Sequence, residues 1–348
     1  MSTNDTLDAN GAPLLEARGV VKHFPIGGGA FWGARLAVKA VDGVSFTLRR
    51  GETLAVVGES GCGKSTLARV ILHLTDRDHG VVRLGGRDVG TGAKDLRAFR
   101  RMVQVVQQDP FAALNPRQRA WDIVTEPLKN YGLKITAAER REAARGLFAR
   151  VGLPPERLEA YPFEFSGGQR QRLCIARALA LEPRIIVCDE AVSALDVSVQ
   201  AQILNLLADL QADLGVSFLF ISHDLAVVNA ISHRVMVMYL GQVVEEADTE
   251  IFFAGPLHPY SAALLAAVPP PDPRTPIRPS GLAGEPPSPI NPPAGCRFHT
   301  RCPKAMPQCA SLAPPLAEFR PGHKVACHLF PAPGVSPGRN PASDPSQP

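Results

Sequence analysis

Gly58-Glu59-Ser60-Gly61-Cys62-Gly63-Lys64-Ser65 stands between an apolar run, Thr53-Leu54-Ala55-Val56-Val57, and a segment from Thr66 to Leu74 that reads as a helix. Strand, glycine-rich loop and helix in that order specify an α/β fold of the phosphate-loop type. The physical requirement is charge density. The oxygens of a triphosphate need several donors at close range, and only glycine lets backbone N–H groups curl in so tightly. Lys64 adds a point charge, Ser65 offers a hydroxyl to magnesium, and the helix start favours an anion.

Outward from the loop, a second apolar run, Arg184-Ile185-Ile186-Val187-Cys188, ends in Asp189 and Glu190. A carboxylate at such a strand end can hold magnesium. A second one, a step further on, can polarise the attacking water, because phosphoryl transfer rests on positioning and electrostatic stabilisation. Ser193-Ala194-Leu195-Asp196 leads into a helix whose Ile203, Leu207, Leu210 and Leu214 share one face, with Gly215 as its stop. The strand Val216-Ser217-Phe218-Leu219-Phe220-Ile221 then delivers Ser222-His223-Asp224 to the same edge. Upstream of the Asp189 strand lies Phe165-Ser166-Gly167-Gly168-Gln169.

These motifs, in order from residue 14 to about 255, resemble those of ABC transporter nucleotide-binding subunits. The resemblance implies an ABC-type ATPase with an inserted helical subdomain. It implies that Gly58, Glu59, Ser60, Gly61, Cys62, Gly63, Lys64, Ser65 and Thr66 cradle the phosphates of ATP. Ser65 and Asp189, with Gln108, would hold Mg²⁺, Glu190 would be the general base, and His223 would contact the γ-phosphate. Gln108, in Val105-Val106-Gln107-Gln108-Asp109-Pro110, would join the ATP site to the membrane partner; a register on Gln107 stays open. Ser166, Gly167, Gly168 and Gln169 would act in trans, on ATP held by a second subunit. Phe24 matches the aromatic on which adenine stacks, its other reading being a core residue. Ala191 stands where relatives commonly have proline; it restores a backbone N–H, with modest expected consequence.

Charge and hydropathy fit this class. The chain has 348 residues, with 37 Lys and Arg against 33 Asp and Glu. The charges are interspersed, no basic block suggests nucleic acid, and Lys94 to Arg101 reads as a solvated helix face. No apolar segment approaches the length of a bilayer span, and Met1-Ser2-Thr3-Asn4-Asp5 lacks a secretory pattern. The expectation is a protein at the cytoplasmic face of the membrane, dependent on separate membrane subunits. Between loop and Asp189 the helical subdomain is expected at about 95–180. In it, the capping box Thr136-Ala137-Ala138-Glu139 opens a helix to about Arg150. Asp109 to Pro116 reads as a stiff loop with an exposed apolar patch, where the resemblance implies docking of a short membrane-subunit helix.

Past the expected ATPase domain (14–268), Pro269-Pro270-Pro271-Asp272-Pro273 opens a proline-rich stretch expected to hold no long helix or strand. Pro256-Leu257-His258-Pro259-Tyr260 through Leu265, Ser288 to Pro293, and Gly295 to Pro303 resemble the oligopeptide/dipeptide branch of ABC importers, in its OppF/DppF-type subunit. Residues 1–13 are expected to be flexible, 269–330 to form the branch's C-terminal extension, and 331–348 to be disordered. Cys296, Cys302, Cys309 and Cys327 fall in the extension, which has few core residues and reads as needing a staple. Zinc sites favour two-residue gaps, absent here; the resemblance implies a [4Fe–4S] cluster, and zinc, free thiols or disulfides stay open. Cys174 and Cys188 read as core, whereas Cys62, near a helix start, is expected to be acidified and reactive. The implied function is the ATPase of a di- or oligopeptide importer. Its partners would be a second ATPase subunit (a heterodimer), two transmembrane permease subunits and an extracytoplasmic peptide-binding protein. A nickel-chelate or glutathione-type importer, and a redox- or iron-sensing ATPase gated by the cysteines, are the alternatives.

Overall fold

Every residue of strand β3, Thr53–Val57, is buried, as a strand covered on both faces should be. The computed structural model describes residues 12–26, 36–268 and 284–330. The expected disordered tail, most of the expected flexible N-terminus and the first part of the proline-rich stretch lie outside the described residues.

Around β3 the chain builds two sheets. Strands β1 (Leu15–Pro25), β2 (Ala37–Leu48), β4 (His79–Leu84) and β5 (Arg87–Asp88) form an antiparallel sheet in the order β2-β1-β4-β5. The other sheet contains β6 (Val103–Val106), β7 (Ile185–Asp189), β8 (Ser217–Ile221), β9 (Arg234–Tyr239) and β10 (Gln242–Asp248). Its order, β10-β9-β3-β8-β7-β6, is parallel from β9 to β6. In such a sheet ligands bind beyond the carboxyl ends of the strands. That edge carries the phosphate loop, Asp189-Glu190 and His223. Helix α1 (Lys64–Ile71) buries Leu67, Val70 and Ile71 in a core shared by the two sheets.

On the opposite face, α3 (Pro110–Ala113), α4 (Ala120–Asn130), α5 (Ala137–Arg150), α6 (Gly167–Leu179) and α7 (Val197–Leu214) pack over β6, β7 and β8, whereas α2 (Ala93–Met102) joins the core of α1 through Phe99. The Lys94 to Arg101 run is indeed a largely exposed face of α2, with Phe99 its buried anchor. The Thr136 capping box forms: the Glu139 N–H donates to Thr136 Oγ1 at 3.2 Å and the Thr136 N–H to Glu139 Oε2 at 2.6 Å. Two details differ from the sequence reading. The expected stiff loop contains α3, because Asp109 caps it and Pro110 occupies its first turn. Leu214, assigned to the apolar face of α7, is 43% exposed at the helix end, and Leu206 is buried instead.

The C-terminal extension differs most. Strands β11 (Ala317–Arg320) and β12 (His323–Val325) add to the central sheet through β10, antiparallel, giving eight strands. The extension therefore anchors by strand pairing, and the premise that it needs a staple for want of a core is corrected. Phe298 is 1% exposed and packs on Tyr239 and Tyr260, beside α8 (Leu225–Ile231), α9 (Thr249–Ala254) and α10 (Pro259–Ala266).

A buried polar cluster ties these parts together. Glu245 accepts from the Leu257 and His258 N–H groups at 2.6 and 2.9 Å, and it pairs with His323 Nε2 at 2.6 Å. His258 Nδ1 accepts from the Tyr260 N–H at 3.0 Å, capping α10. Burial holds the His258 pKa down at about 4, against the partial counter-effect of Glu245. Between about 4 and the ordinary value near 6.5 the unfolded chain thus binds a proton that the folded chain refuses. Stability from this group is complete above that window and declines as pH falls through it, by about 3 kcal/mol in full. We expect His258→Asn, which can still cap the helix, to flatten the decline of the urea midpoint over this window relative to the parent. Parallel curves for the two proteins would refute it.

Candidate active site

The loop between β3 and α1 has the backbone that phosphate binding requires. Gly63 lies at φ 108°, and a Cβ there would overlap the carbonyl oxygen of Ala40; one at Gly58, φ 150°, would meet that of Met238. Lys64 is 5% exposed. Its Nζ donates to the carbonyl oxygens of Gly58 and Glu59 at 2.8 and 3.0 Å, so the ammonium lies inside the loop, where phosphate oxygens would replace those carbonyls. Thr66 follows on the first turn of α1.

Ser65 Oγ donates to Asp189 Oδ1 at 3.1 Å, although 124 residues separate them. Burial pushes the Asp189 carboxyl above its ordinary range, and the Glu190 charge adds to this, while the Ser65 hydrogen bond, Arg69 and Lys64 oppose it. A hydroxyl beside a carboxylate whose charge burial disfavours is a hard-oxygen donor pair suited to Mg²⁺. Gln108 Nε2 donates to Glu190 Oε2 at 2.9 Å, and His223 Nδ1 lies 3.4 Å from Glu190 Oε1. Glu190 itself takes φ 51°, a left-handed backbone uncommon outside glycine and frequent at functional sites. Its N–H donates to the Ile221 carbonyl at 3.0 Å, and the Ser193 hydroxyl donates to the Glu190 carbonyl at 2.9 Å. Ala191, only 2% exposed, sits within this turn without disturbing it. The hydrogen bond to Glu190 runs from Gln108, not Gln107.

Phe24 is 39% exposed and therefore is not a core residue; the ammonium of Lys22 lies 5.4 Å from its ring centre. Ser166 caps α6: its Oγ accepts from the Gln169 N–H at 3.4 Å, and Gln169 Oε1 accepts from the Ser166 N–H at 3.1 Å. Gly167 and Gly168 form the first turn of that helix, and a Cβ at Gly168 would overlap the Val199 side chain.

The cysteines divide. Cys174 and Cys188 are buried, their thiols pushed up to about 11 and about 12 by burial, as inert core residues should be. The expectation for Cys62 is overturned. It is 4% exposed, and burial pushes its thiol up despite the helix start and the nearby Lys64. In the extension, burial raises the thiols of Cys296, Cys302 and Cys327, to about 11 for Cys327, with the neighbouring sulfurs adding to each shift. The four sulfurs thus lie within electrostatic reach of one another. Among the described residues, no group of three or more His, Cys, Asp or Glu side chains is gathered tightly enough for a single metal ion.

The profile of the ABC transporter family matches residues 41–193, a span that contains the phosphate loop, Gln108, the Ser166 segment, Asp189 and Glu190. A probable peptide ABC transporter ATP-binding protein of Sinorhizobium fredii is 54% identical over 317 residues, 91% of this chain and 90% of the relative. The chain belongs to the ABC transporter ATP-binding proteins. As an ABC-type ATPase it is also 49% identical over 326 residues to the oligopeptide transport ATP-binding protein AppF of Bacillus subtilis, covering 92% of this chain and 99% of that one. A dimeric ATP-binding cassette in a post-hydrolysis state, bound to ADP and Pi, superposes with a TM-score of 0.59 at 27% identity, covering 68% of this ABC ATPase and 98% of that chain. A second profile, the C-terminal region of oligopeptide/dipeptide transporters, matches residues 244–309. Among the described residues no helix of this ABC ATPase is long and apolar enough to cross a membrane.

Two contacts of the site were absent from the sequence reading. The Glu59 N–H donates to the Tyr260 hydroxyl at 2.8 Å, and the Glu59 carboxylate pairs with Arg301. Tyr260 and Arg301 lie within segments resembling the importer branch, but nothing in those segments signals that they touch the phosphate loop.

Proposed function

We propose that this ABC ATPase powers uptake of di- and oligopeptides, held at the cytoplasmic face by two permease subunits and served by an extracytoplasmic peptide-binding protein. The observation that carries the reading is the match of residues 244–309 to the C-terminal region of oligopeptide/dipeptide transporters, joined to the phosphate loop through Tyr260. The names of the peptide-transport relatives support the same substrate class. Nothing in the described residues favours nickel chelates or glutathione-like compounds.

In this reading Lys64 and the loop N–H groups bind the phosphates, and Phe24 stacks on adenine. Ser65 and Asp189, with Gln108 nearby, would hold Mg²⁺, which when bound neutralises charge on the β- and γ-oxygens. Water attacks the γ-phosphorus in line, ADP leaves, and Glu190 takes the proton of the water. Gln108 and His223 fix the two Glu190 oxygens, which costs no reorganisation at the moment of reaction. Ser166, Gly167, Gly168 and Gln169 would cover the ATP of a second, non-identical cassette. Around α3, Phe111 and Phe163 are 65% and 68% exposed, and the Arg170 guanidinium lies 4.0 Å from the Phe111 ring centre. This apolar surface would receive the permease helix.

The four extension thiols offer soft ligands suited to iron or zinc. The absence of the two-residue gaps that zinc sites favour supports a [4Fe–4S] cluster over zinc. Iron, acid-labile sulfide and visible absorption of anaerobically purified protein test this; zinc without sulfide would overturn it.

Reconstitution of the chain with its permeases, partner cassette and binding protein in vesicles tests the function. ATP-dependent uptake of labelled di- or oligopeptides is expected. Uptake confined to metal chelates would refute the substrate class.

A further inference from the structure

Glu59, the second residue of the phosphate loop, is held from outside the cassette core. Its carboxylate receives both terminal nitrogens of Arg301, Nη1 at 2.7 Å and Nη2 at 3.0 Å. The Arg301 side chain is 5% exposed and that of Glu59 24%. Arg301 Nη1 also donates to the Tyr239 hydroxyl at 3.4 Å. Tyr239 and Tyr260 pack 4.7 Å apart, and Phe298 stands edge-on to Tyr239 at 5.3 Å, so the guanidinium rests on a rigid aromatic wall. The Arg301 backbone is fixed as well, its N–H donating to the Phe298 carbonyl at 3.0 Å. Glu59 thus touches Arg301 through its carboxylate, Tyr260 through its N–H and Lys64 through its carbonyl.

A carboxylate is an awkward group in a loop built to receive a triphosphate, because like charges at short range repel. A bidentate guanidinium both cancels that charge and fixes its direction, which a lysine ammonium does less well. We propose that Arg301 is a positioning residue for ATP, neutralising Glu59 and holding it on the outer side of the phosphate loop, so that the C-terminal extension sets the nucleotide affinity of the cassette. Arg301 acts through Glu59 and touches no nucleotide. The inference rests on the reading of the loop as the ATP site. It gives the extension a task within the ATPase cycle, whatever the four cysteines bind.

The test is equilibrium binding of Mg²⁺ and an N-methylanthraniloyl ATP analogue to the full chain. For Arg301→Met the dissociation constant should rise about tenfold, while the rate at saturating ATP in the assembled complex changes less than about twofold, since only binding is affected. Adding Glu59→Gln to Arg301→Met removes the charge left unpaired and should bring the constant back to within about threefold of the parent. Arg301→Lys keeps a charge without the fork and should bind about threefold more weakly than the parent; it carries the test if Arg301→Met does not fold. Parent-like binding by Arg301→Met or Arg301→Lys overturns the proposal. A double variant that melts like the parent yet binds as weakly as Arg301→Met overturns it too, leaving Arg301 a structural role only. Failure of the parent to bind the analogue would remove the ATP site itself, and this role with it.

Discussion

Glu190→Gln should lower ATP hydrolysis in the assembled complex by roughly 10²–10⁴-fold, the span usual for loss of a general base, while ATP stays bound. The substitution isolates one property. Glutamine matches the length and shape of glutamate, so the left-handed backbone at φ 51° and the Ser193 hydrogen bond to the Glu190 carbonyl are unaffected. The Gln108 amide, now 2.9 Å from Glu190 Oε2, retains an oxygen to donate to. What disappears is a group able to take a proton from water. Lys64, Ser65 and Asp189 are untouched, so nucleotide affinity should hold within a few-fold, and the two cassettes should accumulate as an ATP-bound closed pair. Single-turnover phosphate release and size-exclusion chromatography with ATP read the two effects separately. Turnover within a few-fold of the parent would remove Glu190 from its role.

The parts of the fold legible in the sequence are those where one short segment contains its own cause. The phosphate loop falls between β3 and α1 because its glycines take backbone angles that other residues resist, and the Thr136 capping box states a helix start in four residues. Asp189, Glu190 and His223 were legible for a similar reason: each terminates an apolar run and so arrives at one edge of a parallel sheet. Helix α3 was signalled as well, by Asp109 at the cap and Pro110 just inside, but four residues are too few for periodicity to speak. Strands β11 and β12 were illegible because β12, on which β11 pairs, joins β10 across a long stretch of chain, as between Glu246 and Lys324, and three or four residues carry no alternation of their own. Cys62 shows the other failure. Position beside a helix start argues for an acidic thiol, and burial, invisible in sequence, outweighs it. The Glu59 and Arg301 pair joins residues 242 apart, and only the folded chain brings them together.

The second large effect concerns Gly168, which in the proposed reading serves the nucleotide of the partner cassette. Gly168 lies in the first turn of α6, and any Cβ there runs into the Val199 side chain at the start of α7. Valine has little rotamer freedom to retreat, so Gly168→Ala must displace the helix start that Ser166 caps. A displacement of about 1 Å in a positioning element can cost about 10² in rate, and that is the expected loss of hydrolysis in the two-cassette complex. The isolated chain should bind ATP as the parent does, because Lys64, Ser65 and Asp189 share no hydrogen bond with Ser166 or Gln169. Direction matters in a mixed pair. With Gly168→Ala in this chain alone, the nucleotide covered by its signature, on the partner cassette, should become inert, while the one on its own Lys64 still turns over. Partner-specific inactivation by Glu190→Gln on one side or the other identifies which nucleotide is lost. Loss of ATP binding by the isolated Gly168→Ala chain, or loss of turnover at its own loop, would show that the signature serves the site in cis.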